Sequence, residues 1–538
     1  MRTRIVLAVG LAFGLCWFLS DVLQAQANEL VFPGVENWDA SIGSINLTRT
    51  VHSLAFDHQY LYLGEGFGTG DRHIRRWDGS QWKTIDKTDG QVLALLVDRN
   101  GNLYAGGYFT RTDTCNLCKR IARWDGFSWS ALGNGITGEV LSLAKDSQGN
   151  LYAGGDFGVK RWNGTTWEDE NITDTVYDLA LAPNGALFAA GRGSYVDEDS
   201  GDLIEFPSLK VKNSGSWQDV GQAFTHSGPN TIFSLALYPP NIFTPTVGGD
   251  FGAPTFYLAS WVGNEWQSFG TPDGPVLALA EDTCGGLYVG GMFRRIDNSS
   301  KPFLAYFDSQ RWHSLGYSFT TNSEKVEVLR FRHGYLAVGG VFTQTFGSQK
   351  HRNIALWTGR DCAQITSSGT YTFYNWREPV TIQISNPGNL AEIRVQRFNK
   401  SHPEIDRGRT PNLDNGVYWQ IEGTTTDGQP IRDLAYTLTL PSVGFIPDEK
   451  DKICHYLGNS NWDCAASGFD AAKKTITRSG LTSFSDFTVG NDVGPTSVSI
   501  KSIRAESRET SFSIVLLSII LAAISIVYYH RVKASRET

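Results

Sequence analysis

The sequence predicts an all-β chain: a seven-bladed β-propeller closed by an N-terminal strand, then a small β-sandwich and one C-terminal transmembrane helix. Three observations predict it. A short phrase recurs seven times. Each copy sits among strand and turn patterns with no helical periodicity. Apolar runs stand at both ends of the chain.

The phrase comes first. Residues 102–109 read Asn-Leu-Tyr-Ala-Gly-Gly-Tyr-Phe, 150–157 read Asn-Leu-Tyr-Ala-Gly-Gly-Asp-Phe, and 286–293 read Gly-Leu-Tyr-Val-Gly-Gly-Met-Phe. Weaker copies at 60–67, 186–193, 244–251 and 335–342 set a spacing of 36–58 residues. Repetition at that interval signals a solenoid, propeller or array. Each unit divides into four short strands. In the second, residues 92–96 are an apolar run and 98–102 are Asn/Asp/Gly turn chemistry. The glycine-paired phrase follows, then Ile121-Ala122-Arg123-Trp124, then an Asp125-Gly126 hairpin signal, then Trp129-Ser130-Ala131-Leu132-Gly133. Trp77 and Trp82, Trp162 and Trp167, and Trp261 and Trp266 repeat this order, while Lys212 and Phe307 replace the first Trp before Trp217 and Trp312. Four strands per unit favour a propeller over a sandwich. The paired glycines suit close backbone approach, and the tryptophans are expected as packing between units.

Closure follows from the ends of the repeat. The seventh unit reaches Trp357 but lacks the second Trp and the Leu-Gly after it. Trp38-Asp39-Ala40-Ser41-Ile42-Gly43 supplies that missing piece at the N-terminus, just before the first strand of the first unit. The N-terminal segment is therefore expected to be the outer strand of the last blade, which removes a free sheet edge. Six blades with one decayed unit is the alternative count.

The pattern Leu-Tyr-x-Gly-Gly-x-Phe … Ile-Ala-x-Trp-Asp-Gly-x-x-Trp-x-x-Leu-Gly resembles the kelch-like repeats of bacterial surface proteins. It is also similar to the Rax2-like luminal repeats of fungal cortical polarity markers. Over about residues 30–362 the resemblance implies a propeller at a cell surface. The fungal proteins are much longer, so a polarity role does not transfer.

The termini give the address. Arg2 and Arg4 precede an apolar stretch at 5–19, and Ala25-Gln26-Ala27 has the small-x-small pattern of a signal peptidase site, so residues 1–27 read as a signal peptide. Residues 512–529 are apolar and uncharged, just long enough to span a bilayer core, with the helix expected over 511–529. Residues 28–362 are then the propeller, 363–495 the stalk, 496–510 a polar linker and 530–538 a cytoplasmic tail. The expected location is the cell membrane, single-pass, with the ectodomain outside. The stalk loses the repeat but keeps alternating runs such as Val380-Thr381-Ile382-Gln383-Ile384, as a small sandwich does.

Six cysteines remain after cleavage, an even count that points to disulfides in an exported chain. Cys454 and Cys464 are close within the stalk. Cys284 and Cys362 are assigned to turns of blades six and seven on one face. Cys115 and Cys118 are read as a loop staple rather than a redox pair or half a zinc site. No cofactor is expected. Calcium is weighed because Asp197-Glu198-Asp199-Ser200-Gly201-Asp202 looks like a calcium loop, but the stretch lacks the full spacing and the closing bidentate Glu and reads better as a solvated acidic loop.

No Gly-x-Ser-x-Gly or His-Glu-x-x-His motif occurs. The net charge of -8 and pI near 5.7 give no basic surface, so nucleic acid is not an expected partner. The informative segments connect the second strand to the third, at 110–120, 192–207, 294–302 and 343–353. These vary in length while the other turns stay short, and variable loops on one face of a rigid scaffold are where binding concentrates. That face carries Arg111, Lys119, Arg120, Asp197, Asp199, Arg294, Arg295, Lys350, His351 and Arg352. The expected function is a membrane-anchored binding or adhesion module for an extracellular protein or polysaccharide. A surface polysaccharide hydrolase or lyase is the alternative.

Overall fold

The computed structural model describes residues 37–491, apart from 40–41, 43–46, 67–71, 199, 214, 222–229, 239–243, 253–254, 317–323, 347–348, 375–376, 406–415 and 432. The expected signal peptide, linker, transmembrane helix and tail lie outside the described residues. Within them the chain is built of β-strands, and no helix is long and apolar enough to cross a membrane.

Between Val51 and Thr358 the chain forms successive antiparallel sheets, six of four strands and one of three among the described residues, with a two-stranded ribbon of Arg295–Ile296 and Ser299–Ser300 inside the sixth unit. The first strands are Val51–Phe56, Gln91–Val97, Val140–Lys145, Thr175–Leu181, Thr231–Leu237, Val276–Glu281 and Lys325–Arg332. Each packs beside the first strand of the next sheet, and the last packs beside the first. Sheets arranged radially around their innermost strands make a β-propeller.

The repeated phrase has a steric cause. A methyl group on Gly106 would collide with Val140, the residue that opens the next unit's first strand, and one on Gly107 would collide with the Gln91 carbonyl of its own sheet. The first glycine admits the neighbouring unit and the second admits the innermost strand. Gly339 repeats the contact across the ends of the chain, where a methyl would lie 2.7 Å from Val51 Cγ1.

The turn and the tyrosine of the phrase also work together. Asp98 Oδ1 accepts from Asn100 and Asn102 backbone N–H groups, each at 2.9 Å, and Oδ2 accepts from Tyr104 Oη at 3.2 Å. Asp57 and Asp146 do the same for Tyr62 and Tyr152. Their carboxylates are occupied by the turns they close.

In units three, four and six the second tryptophan donates its indole N–H to the preceding unit. Trp167 bonds the Leu132 carbonyl at 3.2 Å, Trp217 the Glu170 carbonyl at 2.9 Å, and Trp312 the Phe269 carbonyl at 3.2 Å. Trp38 follows the same rule toward Leu315 at 3.0 Å and bridges Trp357, and Trp82 donates to Ile42 at 2.9 Å. The indoles thus both fill the inter-unit core and satisfy carbonyls there.

Beyond Gly359 the strands belong to a six-stranded and a five-stranded antiparallel sheet. Trp419, Ile393 and Val395 of one sheet and Ile382, Leu438 and Ile476 of the other share a core, and that core continues into Leu54, Phe56, Trp77 and Tyr335 of the propeller. Cys362 corrects the expected boundary. It lies in Arg360–Gln364, which pairs with Leu390–Phe398 of the second region rather than forming a turn of the last repeat. The reason is pairing: this strand finds its hydrogen-bonding partner in the second region and not in the seventh sheet.

Cys284, in the first turn of unit six, is bonded to Cys362, so this bridge joins propeller to second region. Cys115–Cys118 and Cys454–Cys464 are the other two pairs. Around the first bridge, Thr283 Oγ1 donates to Asp361 at 3.0 Å and Tyr374 N–H donates to its other oxygen at 2.8 Å. Arg377 pairs with Asp39 and donates to the Gly79 carbonyl at 2.6 Å. Cys284 and Gly79 occupy turns between first and second, or third and fourth, strands. The second region therefore sits on the short-turn side of the propeller.

Candidate binding face and central channel

Antiparallel strands alternate direction, so connections from second to third strands leave the opposite rim from the short turns. The sequence-predicted residues occupy those connections in four different units: Arg111, Lys119 and Arg120 in unit two, Asp197 in unit four, Arg294 and Arg295 in unit six, and Lys350, His351 and Arg352 in unit seven. They share a rim but form no single cluster. Asp199 lies outside the described residues.

Two of these connections are pinned at their roots. Asp89 accepts from the Thr110 and Arg111 backbone N–H groups at 2.8 and 3.2 Å, and Asp273 accepts from Arg294 and Arg295 at 2.6 and 2.9 Å. Burial works against ionisation of Asp89, yet the Thr110 and Arg111 donors hold its carboxyl below the usual range. Backbone pinning leaves the side chains outward: Arg111, Lys119, Arg294 and Arg295 are exposed. The Arg120 guanidinium lies 3.9 Å from the Tyr108 ring centroid, a cation–π contact at the root of the Cys115–Cys118 loop. Cys118 is fully buried, consistent with a staple that anchors the loop.

The other two continue the propeller strands themselves, whereas 294–302 carries a separate two-stranded ribbon of Arg295–Ile296 and Ser299–Ser300. Residues 192–207 and 343–353, expected as long connections, continue the sheets. Leu187–Val196 pairs with Leu203–Lys212 through to Val196↔Leu203, and Tyr335–Phe346 pairs with Gln349–Thr358 through to Phe346↔Gln349. The strand preference of Tyr195-Val196 opposite Leu203-Ile204 outweighs the glycines at 191 and 193. The acidic stretch from Asp197 to Asp202, weighed above as a calcium loop, lies at the tip of the first hairpin, where Asp197 Oδ1 accepts from Ser200 N–H at 2.8 Å.

The rim surrounds a channel that sequence reading missed. Its mouth is collared by the residue that follows an early Val or Ile in each first strand: His52, Leu93, Leu141, Tyr177, Phe233, Leu277 and Glu327, around a cavity of about 120 Å³. A register shift after that Val or Ile recurs in these first strands, for example between Val176 and Asp178, and turns the collar residue inward. His52 Nδ1 lies 3.0 Å from Glu327, which also pairs with Lys325. Burial pushes the His52 pKa down, against the pull of Glu327. Below the collar, Asp178 accepts from Leu179 and Leu235 N–H groups, both at 2.9 Å, and from Ser142 Oγ at 3.1 Å. Burial raises its pKa, opposed by Arg330 and these donors. The signal was present: the residue after the collar position in the first strands reads Ser53, Ala94, Ser142, Asp178, Ser234, Ala278 and Val328, and one acid in that series marks a special place.

Chemically, the rim offers exposed cations, an acidic hairpin tip and an apolar collar. Among the described residues no group of three or more His, Cys, Asp or Glu side chains is placed to hold a metal ion. Asp178 is bonded by backbone donors of two adjacent sheets, and Glu327 faces His52 and Lys325.

No family model matches the chain, and no curated protein matches it. Among solved structures it is similar to the WD40 propeller domain of Doa1, at 13% identity over 58% of this chain and 94% of that one, with a TM-score of 0.37. It is also similar to the WD40 repeats of RRP9 (13% identity, 62% of this chain, 99% of that one, TM-score 0.42) and to U3-55K (14%, 61%, 99%, 0.41). The propeller assignment rests on the chain's own sheets rather than on these scores.

Proposed function

We propose that this chain is a binding module displayed on a cell surface, engaging an extracellular protein or polysaccharide through the rim that carries the variable connections. One observation carries the reading. The second region covers the short-turn side, through the Cys284–Cys362 bridge and the Arg377 contacts, and so leaves the opposite rim to face outward.

The supporting architecture is a closed seven-bladed ring in which Trp38 and Ile42 take the places of the missing outer strand of unit seven. Support comes from the indole bonds of Trp38 and Trp82 and from the Gly339–Val51 packing. The two sheets after Gly359 act as a sandwich stalk. The signal peptide at 1–27 and the span at 511–529 rest on the sequence, as does the kelch-like kinship. The hydrolase or lyase alternative draws on one observation, the raised pKa of Asp178 beneath the collar. Its donors weigh against it.

The test is a binding screen with residues 28–495, which contain the described part of the compact unit ending at Asp492, against polysaccharides, matrix proteins and whole cells. Saturable binding lost on charge reversal at Arg294, Arg295 and Arg352, without product, supports the reading. Release of sugar fragments sinks it in favour of the alternative.

A further inference from the structure

In unit four the second strand, Leu187–Val196, outruns the first. Pairing between them ends at Thr175↔Arg192, while pairing with the third strand continues to Val196↔Leu203. Residues 193–196 therefore have a strand on one side and, among the described residues, none on the other. The first strand is the innermost of its sheet, so this open edge lies on the side of the channel mouth. At about 3.3 Å per residue it offers roughly 13 Å of backbone. The ribbon is also apolar on both faces. Alternation sets Tyr195 and Ile204 on one face and Val196 and Leu203 on the other, each pair directly opposite. They are 53%, 37%, 61% and 62% exposed, and Phe256, in the matching connection of unit five, is 51% exposed. A methyl on Gly193 would meet the Phe206 ring, whose centroid is 6.2 Å from that of Tyr195, so the Tyr195 face is aromatic down to its root. An open edge flanked by uncovered apolar groups is a template for another strand.

Charge narrows the occupant. From 163 to 293, a stretch that contains units four and five, the chain holds sixteen Asp and Glu against three Lys and Arg. All three cations are already paired: Arg192 with Glu205, Lys210 with Asp174 and Asp219, and Lys212 with Glu170. At the hairpin tip Glu198 and Asp202 are exposed, beside Asp197. The exposed rim cations Arg111, Lys119, Arg294 and Arg295 lie outside this stretch, in units two and six. The edge is thus apolar along its length and negative at its end.

We infer that this edge receives an extended, basic segment of another protein, which adds a strand beside 193–196. The inference rests on the reading of this rim as a binding surface and, within it, chooses protein over polysaccharide. In strand addition the main-chain bonds supply affinity and the side chains on the two faces supply choice. Apolar side chains of the guest continue the Tyr195 and Val196 faces and cover them. Lys or Arg at the end of the guest strand stands level with Asp197, Glu198 and Asp202. An acidic guest meets like charge there, and a polysaccharide has no row of amide donors and acceptors to pair with the open backbone.

The test uses the full chain in mild detergent and a labelled probe peptide of alternating valine and threonine flanked by lysines, read by fluorescence anisotropy. Saturable binding that weakens with salt is expected, together with slower amide exchange at 193–196. Glu198→Lys with Asp202→Lys should raise the Kd by more than about tenfold. The same change of charge at Glu265 and Glu449, away from the rim, should leave it unchanged. If the hairpin reversal lowers the melting temperature, Glu198→Gln with Asp202→Asn replaces it and should also weaken binding. N-methylation of alternate peptide amides should abolish binding, because it removes the main-chain donors. A probe that does not bind saturably, an equal loss from the two charge reversals, or a methylated peptide that binds like its parent overturns the inference. Rim binding of a polysaccharide or protein that is lost at Arg294, Arg295 and Arg352 but untouched by the hairpin reversal would leave the binding reading standing and remove this one.

Discussion

The residue after the collar position of the first strand sets how one unit grips the next. Ser142 Oγ accepts the Leu179 N–H at 3.1 Å, Asp178 accepts the Leu235 N–H at 2.9 Å, and Ser234 Oγ accepts the Leu279 N–H at 3.0 Å. Each satisfies a buried donor of the following unit. Asp178→Ala should therefore cost about 1–3 kcal/mol, the penalty for orphaning such a donor. Asp178→Ser, which matches its neighbours, should cost about 1 kcal/mol or less, and urea unfolding of both variants checks the order. Asp361 makes a different prediction. Burial, its largest influence, pushes its pKa from 3.8 up to about 6 despite donors from Tyr374 and Thr283. A carboxyl raised on folding binds a proton more tightly in the native state. Its stabilising contribution is then full below about pH 4 and is lost as pH rises through about 6. The swing is roughly 3 kcal/mol. Asp361→Asn should flatten that part of the stability profile between pH 4 and 6, read by denaturant unfolding at a series of pH values. An unchanged profile would mean that Asp361 is not the group responsible.

At the scale of the element, the glycine pair is the part of the repeat with least freedom. A methyl on Gly290 would lie 2.5 Å from Val326 Cγ1, whereas Gly468 in the second region has nothing within 4 Å. Gly290→Ala should destabilise by about 1–3 kcal/mol through overpacking between neighbouring units. Gly468→Ala should change little. Thermal unfolding of the two variants separates close approach from a general dislike of losing glycine. The hairpins of units four and seven are the elements in which the repeat relaxes.

For the whole molecule, the Cys284–Cys362 bridge is the covalent tie between propeller and second region, closing a sequence separation of 78. Replacing both by serine removes a constraint on the unfolded chain of about 4–5 kcal/mol in the loop-entropy model. The double variant should unfold at lower denaturant than the parent and lose the parent's sensitivity to reducing agent at this site. A small effect would mean that the shared core of Trp419, Trp77 and their neighbours holds the two regions together without it.

The repeat unit, its strand order, its Asp-to-Tyr turns and the replaced tryptophans at Lys212 and Phe307 were all legible in the sequence. These depend on local spacing, and a local pattern repeated seven times averages out its own exceptions. The charged residues of the rim were legible as positions but not as an arrangement. Arg111, Asp197, Arg295 and Arg352 lie far apart along the chain, and only the cyclic packing of the first strands sets them on one rim in four separate units. Tertiary structure alone decided three further matters. The segments at 192–207 and 343–353 became projecting hairpins, because cross-strand pairing rather than composition fixes where a strand ends. Cys362 went to the second region, because its strand pairs there. The collar and Asp178 came together, because a channel lined by one residue from each unit exists only once the units have packed.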